Sequence, residues 1–311
     1  MTDNEVALSV DVEDWYHVPA VTGSSFAKYD SVDHFFRSWE GRYDYLTKPT
    51  YRTLELLDAH DVTATFFIVA DVVDRYPGLV EEIATRGHEI GCHGLHHECA
   101  IDADTKQPRF SRPAYRDRLL EAKRVLEDAT GQSVTGFRAP GGYVAGWMLD
   151  VLEEVGFTYD SSVSKNSLYN KTDSELRGVG TTPYVPQTTS LEPHGERTFV
   201  ELPWPYLETR VAKIPVGGGP MLRFLPRPLL SYGLSQALKR GDTSFYFHPI
   251  DLARESFPAV GNAKKRPFYW TNKGRGAESK LDSLLSDIGS NSICTCEDAA
   301  RKIHQRHVHA R

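Results

Sequence analysis

Short apolar runs alternate with longer amphipathic ones along this chain. Val6-Ala7-Leu8-Ser9-Val10, Thr63 to Val69 and Ser244 to Phe247 are compact and mostly β-branched, aromatic or aliphatic, which predicts buried strands. His88 to Cys92, Val134 to Phe137, Phe157 to Tyr159, Phe199 to Leu202 and Ser292 to Cys294 extend the series. Helical spacing runs through Tyr51 to His60, Leu79 to Arg86, Arg112 to Thr130, Trp147 to Val155 and Leu229 to Lys239. The clearest is Arg112 to Thr130, where Leu119, Ala122, Val125, Leu126 and Ala129 share one face and Gly131 follows. Residues 15–48 and 161–198 have no such period and read as long loops. Near the end, Leu281, Leu284, Leu285 and Ile288 mark an amphipathic stretch. A last helix follows, which Thr295 is placed to cap with Asp298 three residues on.

Alternating strands and helices predict parallel strands and an α/β fold. Asp11, His93, Arg138, Asp160 and His248 each follow the end of a predicted strand. In parallel barrels that rim is where active sites are built. The expected organisation is one catalytic domain over 5–255 with long loop insertions. Residues 256–311 would form a C-terminal extension that completes the barrel with a strand and a helix.

The composition fits a globular chain: 311 residues, 40% hydrophobic and 25% charged. The net charge of −6 argues against a phosphate-binding surface, so no nucleic-acid partner is expected. The basic clusters Lys264-Lys265-Arg266 and Arg301 to Arg311 are short and read as solvated surface. No window approaches the ~18 apolar residues of a membrane span. The first residues lack the basic and apolar regions of a signal peptide. Four cysteines (Cys92, Cys99, Cys294 and Cys296) are too few for a disulfide framework in a chain this long, which suggests a cytoplasmic location.

Four constellations carry chemistry. In Cys92-His93-Gly94-Leu95-His96-His97-Glu98, the four-residue spacing of His93 and His97 would put two imidazoles on one face of a helical turn, able to bite one cation. His88-Glu89 does not complete a zincin motif, since His93 stands one residue too far. In Asp11-Val12-Glu13-Asp14, three carboxylates in four residues repel one another unless something positive neutralises them. In Arg138-Ala139-Pro140-Gly141-Gly142-Tyr143, an arginine at a strand end can grip a carboxylate, and the glycines let a backbone N–H approach substrate. In Phe245-Tyr246-Phe247-His248, a histidine leaving an apolar strand suits a proton donor. Each has an ordinary reading alone: a chance cluster, an acidic turn, a plain turn, a satisfied core histidine.

Together, and in this order, they resemble the polysaccharide deacetylase family, the NodB-type carbohydrate esterases, over roughly residues 5–255. The Asp11-Val12-Glu13-Asp14-Trp15 opening, Tyr159-Asp160-Ser161-Ser162 and Val216-Gly217-Gly218-Gly219-Pro220 are similar to a subgroup found beside exopolysaccharide and surface-glycan genes. The glycine run is therefore not read as a phosphate loop. The resemblance implies a distorted parallel (β/α) barrel that hydrolyses an N-acyl amide on a sugar, with a divalent cation, expected to be zinc. It assigns Asp11 as general base, His93 and His97 as metal ligands, Arg138 as the partner of the base and His248 as general acid. The Gly141 N–H would be the oxyanion donor, although the family usually carries an aromatic residue there. The family opening has two adjacent aspartates. Here Val12 takes the second place, so the metal carboxylate must be Glu13 or Asp14.

The expected substrate is an N-acetylated carbohydrate, with peripheral contact to a lipid-linked glycan compatible with the sequence. Rival readings are an amidohydrolase acting on a cyclic imide, formamide or ureide, a non-catalytic glycan-binding protein, and a closed structural metal site built from His93, Cys92, Cys99, Cys294 and Cys296. Trp15, Tyr16, Trp147, Trp204 and Tyr206 are candidates for a stacking groove.

Overall fold

The computed structural model describes residues 4–14, 44–168, 170–255 and 271–309. Trp15, Tyr16 and the Lys264-Lys265-Arg266 cluster lie outside these residues, as does most of the expected loop over 15–48.

The central sheet starts at β1 (Val6–Val12), whose seven residues are all buried. This is what a parallel strand covered on both faces requires. Beside it stand β2 (Thr65–Ile68), β3 (Glu89–Cys92), β4 (Gly136–Phe137), β5 (Tyr159–Asp160) and β6 (Val200–Glu201), in that order and all parallel. β9 (Thr243–Phe247) also pairs with β1 in parallel, over Val6 to Val10. β10 (Ile293–Cys294) pairs with Val6 and Ala7, ahead of the point where β2 joins at Ser9. The expected α/β architecture is present as a curled parallel half-barrel.

Helices cover the convex side: α1 (Thr47–Ala59), α2 (Val72–Arg75), α3 (Leu79–Thr85), α4 (Arg112–Thr130) and α5 (Gly146–Val155). Leu54, Leu57, Leu119, Leu126 and Leu152 pack there with Val6, Leu8, Val10, Phe66 and Ile68 in one core. α4 follows the sequence closely: Ser111 caps it by accepting from the Ala114 N–H, and Gly131 ends it with φ +69°. α1 starts at Thr47 rather than Tyr51, because the Asp44 carboxylate accepts the Leu46 and Thr47 amides and anchors the first turn. The short α2 carries too little pattern to be foreseen.

Ala7, Phe67, Tyr159, Val200 and Leu202 form a second core on the concave side. The last helix, α9 (Cys296–His309), brings Cys296, Ala299 and Ala300 into it. Alternation along extended chain therefore sorts side chains by face. In and beyond β1, Ala7, Ser9, Asp11 and Glu13 turn inward, while Leu8, Val10, Val12 and Asp14 turn outward.

After β6 the helix expected over Leu229 to Lys239 is present, and the hairpin and short helix ahead of it were not foreseen. β7 (Tyr206–Glu208) and β8 (Lys213–Pro215) form an antiparallel hairpin, followed by α6 (Pro220–Phe224) and α7 (Arg227–Leu238). Between β8 and α6 the glycine run lies along β9: Tyr246 N–H donates to Gly217 O, and Gly219 N–H to Tyr246 O, both at 2.8 Å. A Cβ on Gly218 (φ +110°) would stand 1.6 Å from Tyr246 O. Only glycine permits that approach, so the run covers the free edge of β9. α8 (Arg275–Ile288) packs Leu281, Leu284 and Leu285 onto the outer core.

Candidate active site

The inward positions at the C-terminal ends of β1, β3, β4 and β9 converge. Arg138 follows β4 and is wholly buried. Its Nη1 donates to Asp11 Oδ1 at 2.6 Å and to Ser9 Oγ at 2.9 Å. Its Nε and Nη2 donate to Ser161 O and Oγ at 2.8 and 2.7 Å. The guanidinium carbon lies 4.3 Å from the Phe67 ring centroid, 5.1 Å from Tyr246 and 5.6 Å from Trp204. Burial opposes the cation, yet the Asp11 carboxylate more than compensates and its pKa is raised. A buried charge with a full set of partners fixes Asp11 in place.

Glu13 Oε2 lies 2.5 Å from His97 Nε2 and 3.6 Å from His93 Nε2. One donor atom from each of these three residues falls within 4.8 Å of the others. Among the described residues this is the cluster of such groups able to hold a metal ion. Asp14, the alternative ligand, faces away: its carboxylate accepts from the Tyr76 hydroxyl. The cause is parity, since Glu13 is two residues from Asp11 and shares its face, whereas Asp14 is three away.

His93 and His97 do not sit on a helical turn as their spacing suggests. The chain bends between them instead, with Gly94 at φ +84° and His97 itself at φ +59°. A Cβ on Gly94 would approach Pro140 Cγ to 3.2 Å, so the bend packs on the Arg138-to-Gly142 turn. Ala70 and Asp71 amides tie down Gly94 O and Leu95 O. A non-glycine residue in the left-handed region costs of order 1–3 kcal/mol and persists where its surroundings hold it.

The donor set fits a divalent cation. His93 Nδ1 donates to the Arg138 carbonyl at 2.8 Å, which leaves the Nε2 lone pair facing the Glu13 carboxylate. Lone pair against carboxylate is repulsive unless a positive species stands between them. Two imidazoles and one carboxylate are also the donors of catalytic zinc sites that keep an open position. Burial alone would raise the Glu13 pKa, but His97, with His93 and His248, outweighs it and holds the carboxyl well below its usual range.

His248 stands opposite, its Nε2 3.5 Å from Glu13 Oε1 and 3.9 Å from Asp11 Oδ2. Its Nδ1 meets Asp251 Oδ2 at 3.1 Å, and the same oxygen accepts the His248 amide at 2.9 Å. Arg223 Nε holds the other oxygen at 2.8 Å. Burial disfavours the imidazolium, but Asp251, then Glu13 and Asp11, override it and push the pKa up to about 9. Asp251 and Arg223 escaped the sequence reading. Asp251 had a signal, since a residue three beyond a strand-end histidine is placed to cap it.

Gly141 lies in a tight turn at φ +63°. From 138 to 143, the Arg138, Ala139, Gly142 and Tyr143 amides all have acceptors, and Pro140 has no N–H. Gly141 is the amide left over among the described hydrogen bonds. Of the aromatic candidates, Trp204 is buried, stacks on Tyr246 at 4.4 Å and donates to Ser161 O. Trp147 packs edge-on against Tyr115, and Tyr206 is buried in β7. They build walls rather than an open stacking groove. Cys294 and Cys296 lie at the opposite end of the sheet, at the start of β1, so the cysteine-based metal site is not formed. Asp160 faces outward with Glu201 and takes no part in the cluster.

A curled parallel sheet with these groups on its C-terminal rim defines the NodB-type fold. Residues 41–159 match the family model for polysaccharide deacetylase, and residues 172–296 match a domain of unknown function, DUF3473. Residues 41–159 are thus similar to the polysaccharide deacetylases, in both the family model and individual relatives. It is 30% identical over 115 residues to a peptidoglycan deacetylase of Helicobacter pylori, covering 37% of each chain. It is 31% identical over 111 residues to a peptidoglycan-N-acetylglucosamine deacetylase of Bacillus cereus, covering 35% of this chain and 48% of that one. The match thus spans under half the length of these relatives. Among solved structures, a putative polysaccharide deacetylase of Mycobacterium smegmatis superposes with TM-score 0.62 at 19% identity, over 98% of this chain and 91% of that one. A probable polysaccharide deacetylase of Pseudomonas aeruginosa gives 0.59 at 18% identity, over 98% and 92%. His93, His97 and Arg138 lie in the first matched segment and His248 in the second, while Asp11 and Glu13 precede both.

Among the described residues no helix is long and apolar enough to cross a membrane. Arg301 pairs with Glu297 and Asp298, and Arg306 with Asp242, so the described part of the basic tail is internally neutralised.

Proposed function

We infer that this protein is a metal-dependent hydrolase that removes the acetyl group from an N-acetylated sugar in a polysaccharide or glycolipid. The observation that carries the reading is the meeting of three units on one rim: the Glu13–His93–His97 donor set, the Arg138-clamped Asp11, and His248 backed by Asp251. Glu13, His93 and His97 would hold the cation, with zinc favoured by the imidazole and carboxylate donors. When bound, it supplies Lewis-acid polarisation of the amide carbonyl and acidifies the attacking water.

Asp11, oriented by Arg138, takes a proton from that water as its oxygen bonds to the carbonyl carbon. The Gly141 N–H donates to the oxygen that gains negative charge, a contact typically worth ~3–4 kcal/mol. His248 is protonated near neutral pH and gives its Nε2 proton to the departing nitrogen as the carbon–nitrogen bond breaks. Acetate and a free amine result. Asp251 holds the ring with Nε2 toward the site.

Acetate release from N-acetyl sugars, measured with and without a chelator, tests the reading. Release that survives complete metal removal overturns the metal role. A parallel panel of cyclic imides, formamides and ureides separates this activity from other amide hydrolysis, and hydrolysis of those alone would overturn the sugar assignment.

A further inference from the structure

Asp160 and Glu201 face away from the site, yet a single peptide unit joins them to it. Glu201 Oε1 accepts the Ser162 and Val163 amides at 3.2 and 2.9 Å. The carbonyl of that same Ser161–Ser162 peptide points to the opposite side, as a planar trans unit requires. There Ser161 O accepts from Arg138 Nε at 2.8 Å and from Trp204 Nε1 at 3.0 Å. The Ser161 hydroxyl accepts from Arg138 Nη2 at 2.7 Å and donates to Leu202 O at 2.9 Å. Ser162 Oγ adds a second link: it accepts the Ala139 amide and donates to Asp160 Oδ1, both at 2.7 Å.

A guanidinium is planar, so two bonds to Ser161 fix the direction in which Nη1 reaches Asp11 Oδ1. Turning the Ser161–Ser162 peptide would break the bond to Nε and release that plane. Glu201 opposes the turn, because the Ser162 and Val163 amides would leave their shared acceptor inside the protein. An acceptor on the N–H also polarises the carbonyl at the other end of the peptide. Arg138 lies in the segment 41–159, whereas Glu201, Leu202 and Trp204 lie in 172–296. We propose that Glu201, with Asp160 and Ser162, is a positioning residue for proton abstraction by Asp11, acting through the Ser161–Ser162 peptide and Arg138. The proposal rests on the deacetylase reading for the reaction it serves but not for its chain of bonds. It gives the segment 172–296 a part in the base step besides supplying His248.

Glu201→Leu removes the acceptor, and Glu201→Gln keeps it. In Glu201→Leu, kcat for acetate release should fall about ten- to a hundredfold, the cost of a small misplacement, with KM little changed. Glu201→Gln should restore most of it. The loss should disappear in an Asp11→Asn background, where no base remains to be aligned. Ser162→Ala cuts the link to Ala139 and should lower kcat severalfold, which carries the test if Glu201→Leu does not fold. The Arg138 Nε–H signal of ¹⁵N-labelled protein reads the geometry without turnover. Its exchange with solvent should be about tenfold faster in Glu201→Leu, the effect of one weakened hydrogen bond, and unchanged in Glu201→Gln. An unchanged kcat in Glu201→Leu and Ser162→Ala, or an equal loss in the Asp11→Asn background, overturns the proposal. Faster Arg138 exchange in Glu201→Leu, without acetate release by the wild type from any N-acetyl sugar, upholds the brace on Arg138 and overturns the deacetylase reading. Wild-type acetate release that neither variant alters, with exchange unmoved, does the reverse.

Discussion

Glu13 and Glu201 are both buried glutamates near the ends of parallel strands, 5% and 0% exposed. They face opposite sides of the same sheet. Burial pushes both carboxyls up, and the neighbours decide the outcome. Around Glu13 stand His97, His93 and His248, and the carboxyl is held well below its usual range. Beside Glu201 stands a second carboxyl, Asp160, and Glu201 is raised well above its usual range while Asp160 rises to about 6. Glu201 Oε1 accepts the Ser162 and Val163 amides, and Asp160 Oδ1 accepts the Ser162 hydroxyl. Burial and the Asp160 charge together hold the Glu201 carboxyl up, and the prediction is that this outward pair retains one proton between them. The inward glutamate faces imidazoles and is ready for a cation. The charge placed beside a buried carboxyl decides whether it gives up or keeps its proton.

The sharpest break in this contrast is at the inward site. Asp11→Asn should keep its metal, measured by equilibrium dialysis, while acetate release falls about 10²–10⁴-fold. His93→Ala should lose both. Normal turnover by Asp11→Asn would remove Asp11 from the base role. Next comes the clamp. Arg138→Met strands the Asp11 carboxylate in the core, and urea unfolding should show a loss of about 3–5 kcal/mol. A loss below about 1 kcal/mol would mean that the other partners of Asp11 suffice.

A smaller effect concerns proton delivery. In Asp251→Asn the carboxylate that raises His248 is gone, so its pKa should drop from about 9 toward the ordinary histidine range. The basic limb of the kcat/KM profile should then move to lower pH. An unmoved limb, or one also unchanged in His248→Ala, would take His248 out of the acid role.

The mildest test addresses the outward pair. Carboxyls whose pKa values are raised on folding stabilise most fully below their unfolded values, about pH 4. That contribution fades as the pH rises through about 6 and beyond. One retained proton corresponds to a slope of ~1.4 kcal/mol per pH unit. Glu201→Gln can still donate to Asp160 and should flatten that slope in melting temperature against pH. An unchanged slope would show that the pair does not share a proton.

Much of this contrast was already written in the chain. Val6, Leu8, Val10 and Val12 alternate with Ala7, Ser9, Asp11 and Glu13, and that period alone separates Glu13 from Asp14. The same parity sets Arg138 inward after Phe137, and Asp160 outward after Tyr159. Other features had little local signal. The β7–β8 hairpin has strands of only three residues each, too short for a period to show, the bend at His97 violates the helical reading of its own spacing, and the glycine run makes sense only against the Tyr246 backbone.

The sequence by itself determined the strand and helix rhythm, the chemistry at each strand end, and the face on which each side chain emerges. These follow from local periodicity and residue type. Only the tertiary structure decided which strand ends meet. Curling of the sheet brings Asp11 to Arg138, 127 positions away, and His248 within reach of Glu13. It also leaves Asp160 and Glu201 on the outside with each other for company. Contacts of such separation depend on how the whole sheet closes, which no local pattern encodes.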